Sequence, residues 1–290
     1  MTRRCILLLA VMAVACAPLL QAANPPEWTR SMPPFRIAGN LYYVGSEDLA
    51  AFLVVTPRGN ILINSNLASS PPQLRHSVEQ LGFHWRDTKV LLISHAHSDH
   101  AAGSAEVLRQ TGAKYEVMDA DVPLVESGGR DDFALGKDPQ YRFPRTHVDR
   151  VLHDGDTVEL GGTVLTAHKT AGHTKGTTTW TMDVNDAGKM LHVVIVGSPN
   201  VLDSYKLVGN RSYPQIADDF RRQFEVLKSL PCDVFLGAHG QYFGLREKYV
   251  RFRAGDRNAF IDPQGYRAFV EEKDRAFEAA LKHQQEHPGH

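Results

Sequence analysis

Four side chains able to bind a metal fall within six residues: His95, His97, Asp99 and His100, in the run His95-Ala96-His97-Ser98-Asp99-His100. Imidazole and carboxylate together suit zinc or another first-row metal, and nothing in the run calls for thiolate. The run follows an apolar stretch, Val90 to Ile93, and precedes a helical pattern. A strand-to-helix loop of this kind presents its side chains from a rigid base into a cleft. In extended backbone His95 and His97 point the same way, while Asp99 and His100 begin the turn. A lone histidine here would read as structural; four ligands at this spacing read as a metal site.

The elements that must hold this loop alternate along the chain. Strands are predicted over Leu41–Val44, Ala51–Thr56 and Asn60–Asn64, the last two joined by the turn Pro57-Arg58-Gly59. Pro71-Pro72 opens a helix carrying Leu74, Val78 and Leu81, which Gly82 stops. Lys89–Ser94 reads as a buried strand and Ala101–Thr111 as a helix. Further strands are expected over Thr157–Leu160, Thr163–His168, Thr177–Asp183, Met190–Val196 and Val234–Leu236, with helices over Ile216–Leu230 and Gln264–Gln285. Such interleaving predicts an α/β fold, sheets covered by helices in one domain.

Composition narrows the class further. The chain has 290 residues, 42% hydrophobic and 22% charged, a soluble globular profile that excludes disorder, collagen-like repeats and coiled coil. Its 32 basic and 33 acidic residues give no electrostatic case for nucleic acid or an anionic membrane as partner. Arg3 and Arg4, the apolar run from Cys5 to Leu20 and the small Ala22 and Ala23 predict an export signal over residues 1–23, leaving one domain over 24–290. The run is too short and poorly flanked for a spanning helix. Acylation of Cys16 is the alternative, but the leucine that usually stands three residues earlier is missing. Removing the signal leaves 30 basic and 33 acidic residues, and Cys232 alone among the cysteines, so no internal disulfide can form. Cys232 is expected to be a buried apolar residue.

The run His-x-His-x-Asp-His after a strand resembles the signature of the metallo-β-lactamase superfamily. Two later segments match that family in order and context: Thr170-Ala171-Gly172-His173-Thr174-Lys175-Gly176, and Gly237-Ala238-His239-Gly240 after a strand. The resemblance runs from about Asn40 to about Tyr249. Within the superfamily the sequence is similar to subclass B3 metallo-β-lactamases, in Asn40-Leu41-Tyr42-Tyr43-Val44-Gly45, His153-Asp154-Gly155-Asp156 and Gly237 to Lys248. The residue after the strand Met190–Val196 separates the subfamilies. Thioesterases and lactonases of the fold typically place Gly-Asp there, and subclasses B1 and B2 a cysteine ligand. This chain has Gly197-Ser198.

The resemblance implies an αββα sandwich, two mixed sheets face to face with helices outside, holding two zinc ions. His95, His97 and His173 would hold the first; Asp99, His100 and His239 the second. It further implies hydrolysis of the β-lactam amide of penicillins, cephalosporins and carbapenems by a hydroxide bridging the metals, and so antibiotic resistance. Asp99 would orient the hydroxide, and the second zinc would stabilise the departing nitrogen. Ser198 and Asn200 would meet the substrate carboxylate, and Tyr205 would donate to the carbonyl oxygen; as loop residues each could equally be a solvated side chain. Asn64-Ser65-Asn66 either orients an imidazole or simply turns the chain. His168 is placed in a strand, away from metal, and the segment from Gly128 to Arg145 as a wall over the cleft. The expected setting is the periplasm of a Gram-negative bacterium, as a monomer with a small β-lactam as its partner, no nucleic acid, and no stable membrane partner. The alternatives are an exported hydrolase of a lactone or thioester, and a periplasmic zinc-binding protein without turnover.

Overall fold

In a computed structural model residues 24–287 are described. The export signal read over 1–23, with Cys16, lies outside them. Four strands run antiparallel in succession: β1 (Phe35–Ala38), β2 (Leu41–Tyr43), β3 (Phe52–Thr56) and β4 (Gly59–Ile63). Then β5 (Thr88–Leu92), β6 (Lys114–Met118) and β7 (Arg150–Leu152) add in parallel, so the seven-stranded sheet follows chain order. The second sheet comprises β8 (Thr157–Leu160), β9 (Thr163–Lys169), β10 (Thr178–Asp186), β11 (Lys189–Val196) and β12 (Val234–Gly237), in the order β12-β11-β10-β9-β8. Only its β11–β12 pair is parallel.

Side-chain alternation explains why the sheets stack. Phe52 and Val54 of β3, Ile61 and Ile63 of β4 and Val90 and Leu92 of β5 face a core shared with Leu165, Trp180, Met182 and Val193 of the second sheet. Their neighbours Leu53, Leu62 and Leu91 face the other way, toward Leu74, Val78 and Val107. These belong to α1 (Pro71–Gln80) and, beyond α2 (Ser98–Ala101), to α3 (Ser104–Thr111). A strand buried on both faces must be apolar throughout, which is why Val90–Ile93 is an unbroken run. Behind the second sheet, Phe220 and Phe224 of α5 (Ile216–Ser229) stack with Phe277 of the terminal helix (Pro263–Glu286). The layers are therefore helix, sheet, sheet, helix, the αββα sandwich.

Three features differ from the sequence-based expectation. The helix expected over Ala101–Thr111 is two, α2 and α3, broken around Gly103. Gly103 packs against the turn at the end of β4, where an added Cβ would lie 2.4 Å from the Ser65 carbonyl oxygen. Strands β1, β6 and β7 carry too little apolar pattern to be read. So do α4 (Val122–Ser127) and α6 (Leu245–Arg253), which makes the terminal helix α7. Among the described residues no helix is long and apolar enough to cross a membrane.

The two sheets are tied together at one edge. Thr178 N–H donates to the Ser94 carbonyl at 2.7 Å and Trp180 Nε1 to that of Ile93 at 3.0 Å. The loops after β5, β9, β11 and β12 all open there.

Candidate metal centre

His97 ends the extended segment after β5 with φ −89° and ψ 159°, and the single turn of α2 then swings Asp99 and His100 inward. His173 arrives on the β9–β10 loop and His239 directly after β12. Five imidazoles meet, with neighbouring ring centroids 4.4–4.9 Å apart. Their nitrogens form two sets. In one, His97 Nδ1 stands 3.1 Å from His173 Nε2, and His95 completes a group whose ligand atoms lie within 4.8 Å of one another. In the other, His100 Nε2 is 3.2 Å from His239 Nε2, and Asp99 Oδ2 is 3.3 and 3.5 Å from those two nitrogens. His95 also approaches Asp99 and His100 closely enough to form a third grouping, but the tighter triangle of Asp99, His100 and His239 defines the second set.

These separations fit a metal. Two nitrogens about 2.0–2.1 Å from one tetrahedral ion lie about 3.3 Å apart. Facing ring nitrogens at 3.1–3.2 Å otherwise need a shared proton. The outer nitrogens of four rings are held from behind. His173 Nδ1 donates to the Asn200 carbonyl at 2.8 Å, and His239 Nδ1 meets Asp48 Oδ2 at 2.9 Å. His97 Nε2 meets Asp132 Oδ2 at 3.2 Å, and His95 Nδ1 meets Ser94 Oγ at 3.2 Å. Each contact turns the ring's other nitrogen toward the centre, the usual support for ligating histidine.

The electrostatics suit a cation. Burial, reinforced by neighbouring imidazoles, holds His95 well below its ordinary pKa and His173 down at about 3, so both stay neutral and able to coordinate. Burial alone would raise Asp99, but His100 and His239 outweigh it and keep the carboxylate ionised. Burial likewise opposes His239, yet Asp48 and Asp99 bring it up to about 9.

Two expected residues are placed differently. Tyr205 is buried, and its hydroxyl donates to the His173 carbonyl at 2.6 Å, so its one proton supports the ligand loop rather than reaching a substrate. Ser198 is 1% exposed and shares a hydrogen bond with Tyr242 Oη at 3.1 Å, so its hydroxyl is engaged inside the protein rather than left free for a substrate carboxylate. Asn200 remains half-buried, one Nδ2 hydrogen donating to the same Tyr242 oxygen at 2.7 Å. His168 lies in β9 against Thr181 Oγ1, away from the histidine cluster. Asn64 touches no imidazole; it accepts from Ser94 N–H and donates to the Ala50 carbonyl, fixing the base of the loop. Cys232 is half-buried, its thiol pushed by burial up to about 12 and so unreactive.

Four supporting residues carry no local sequence signal: Asp48, Asp121, Asp132 and Tyr242. Asp132 sits in the wall segment 128–145, and its neighbour Phe133 packs against the Tyr205 and Tyr213 rings.

The family model of the metallo-beta-lactamase superfamily matches residues 49–239, and the chain belongs to that superfamily. The metallo-β-lactamase of Legionella gormanii is 54% identical with a TM-score of 0.88, over 88% of this chain and 98% of that one. A subclass B3 metallo-β-lactamase of Bradyrhizobium japonicum is 34% identical with a TM-score of 0.84, over 90% and 97%. Within the superfamily the chain is thus closest in kind to subclass B3, and it is a class B hydrolase. A metal-dependent hydrolase of Rubrobacter xylanophilus is 43% identical over 65 residues, 22% of this chain and a quarter (25%) of that protein.

Proposed function

We propose that the protein is an exported, periplasmic zinc β-lactamase that opens the lactam amide of penicillins, cephalosporins and carbapenems and so confers resistance. The observation that carries this reading is the pair of adjoining three-ligand sets, in a chain more than half identical to a known metallo-β-lactamase. Three protein ligands per ion leave a position open, as catalytic sites do. His95, His97 and His173 would hold one zinc, and Asp99, His100 and His239 the other. The chemistry such a pair supplies is polarisation of the carbonyl and acidification of a water to a pKa near 7.

The chain's own groups do the rest. Asp99 Oδ2 faces His100 and His239, and its second oxygen is left to accept a hydrogen from the attacking water. Asn200 keeps one Nδ2 hydrogen for a substrate carboxylate, the other being spent on Tyr242. The substrate is a small molecule, and the working unit a monomer with no nucleic-acid or stable membrane partner.

The test is turnover of a cephalosporin, a penicillin and a carbapenem by the zinc-loaded protein, beside a lactone and a thioester. Hydrolysis of the lactams well above the other two is expected; turnover of the lactone or thioester alone would overturn the reading. Tyr205→Phe should separate support from catalysis. Turnover is expected to fall less than about tenfold, against about 10²–10³ for loss of an oxyanion donor. Stability should drop by about 1–3 kcal/mol, because the His173 carbonyl loses its buried partner. A hundredfold loss of turnover in a fully stable variant would return Tyr205 to the chemistry.

A further inference from the structure

Residues 25–30 precede the first strand and lie against the metal centre. Pro26–Trp28 form one tight turn. The Glu27 carbonyl accepts from Asp48 N–H at 3.2 Å and from Ser46 Oγ at 3.0 Å, and the Arg30 carbonyl accepts from Glu47 N–H at 2.9 Å. The arm is thereby fixed to the segment that carries Asp48. Trp28 Nε1 donates to Asp48 Oδ2 at 3.2 Å, the same oxygen that His239 Nδ1 meets at 2.9 Å. The Trp28 ring lies 5.9 Å from that of His239. The other oxygen, Oδ1, accepts from Gln241 N–H at 3.0 Å, and the Asp48 carbonyl accepts from Gly240 N–H at 2.6 Å.

Asp48 is 6% exposed, and its carboxylate is oriented by one donor from the arm, one from the segment after β12 and His239 itself. A buried carboxylate aims at an imidazole only as firmly as its remaining bonds fix its plane. The two sets differ here. His173 leans on the Asn200 carbonyl after β11, His95 on Ser94 and His97 on Asp132, whose other oxygen accepts from Ala134 and Leu135 N–H; His239 alone leans on a carboxylate that residues 25–30 steady.

We propose that the N-terminal arm, through Trp28 and Asp48 as positioning residues, sets how tightly the Asp99–His100–His239 set holds its metal ion, leaving the His95–His97–His173 set unaffected. This rests on the reading of those residues as zinc ligands, but not on lactams being the substrate.

Trp28→Phe keeps the ring and removes the N–H; Asp48→Asn keeps the shape and removes the charge. Zinc affinities of the purified protein and both variants would be read by competition with a chromophoric chelator, with metal content after dialysis and the visible spectrum of the cobalt-substituted forms. The second ion is expected to bind about 10–100-fold more weakly in both variants, the range for losing support behind a metal ligand, with the first unchanged within about twofold. Dialysed Trp28→Phe should retain one zinc per chain where the parent retains two. Two tightly held ions in Trp28→Phe, or equal weakening of both sites, would overturn the proposal; Trp28→Phe decides it even where Asp48→Asn fails to fold. A parent protein that binds two zinc ions yet leaves lactams intact would sink the β-lactamase reading and leave this one standing.

Discussion

Stripping zinc with a strong chelator is expected to abolish lactam hydrolysis and lower the melting temperature by about 10 °C, with both recovered on adding zinc back. The ligand sets explain the size of both effects. Without a cation, His97 and His173 face each other at 3.1 Å, and His100 and His239 at 3.2 Å. Each pair must either trap a proton between its rings or oppose two lone pairs in a buried setting. A bound ion removes that conflict. Free zinc about thirtyfold above Kd at each of the two sites stabilises the fold by about 2 kcal/mol per site, about 4 kcal/mol together. At roughly 2–4 °C per kcal/mol for a domain of this size, that is the shift named. Calorimetry with metal analysis, run beside the turnover assay, checks both halves. Full activity in protein shown to be metal-free would mean that the two sets do not perform the chemistry.

The histidines of the first run are legible in the sequence because the chemistry is local. Four ligands within six residues, after an apolar strand, leave few other readings, and the family resemblance adds His173 and His239. What supports them is not local. Asp121 accepts from Ala96 and Gly176, 25 and 55 positions away, and Asp48 meets His239 across 191. An aspartate in a loop carries no mark of which N–H groups the fold will bring to it. Tyr205 and Ser198 show the converse. Their positions resemble the family's, but the direction of a hydroxyl is set by the nearest buried partner, here the His173 carbonyl for Tyr205 and the Tyr242 hydroxyl for Ser198. The strong strands were legible for their doubly buried faces. In β7, where two of three residues are exposed, nothing in the side chains demands a strand; pairing with β6 alone makes it one.

Asp121→Ala should be the most damaging change outside the ligands themselves. The carboxylate is 1% exposed and braces the two loops that supply the first set. Oδ2 accepts from Ala96 N–H, between His95 and His97, and from Thr174 Oγ1, next to His173, both at 2.8 Å. Oδ1 accepts from Gly176 N–H, also at 2.8 Å. Gly176 is required for this approach, since an added Cβ would lie 2.5 Å from Asp121 N. On truncation Thr174 can turn to Thr177 Oγ1, already 2.9 Å away, but the two backbone donors have no alternative partner. At about 1–3 kcal/mol for each unpaired buried donor, the loss is roughly 3 kcal/mol or more. His95, His97 and His173 then lose their common anchor, so first-site zinc affinity should fall about 10–100-fold and turnover with it. Asp121→Asn separates shape from charge: its oxygen can serve Ala96 and Thr174, but its amide then meets Gly176 N–H donor to donor. Its stability and zinc affinity should fall between those of the parent and the alanine variant. Denaturant unfolding and zinc titration read that order directly, and an alanine variant as stable and as tight for zinc as the parent would remove Asp121 from the account of the site.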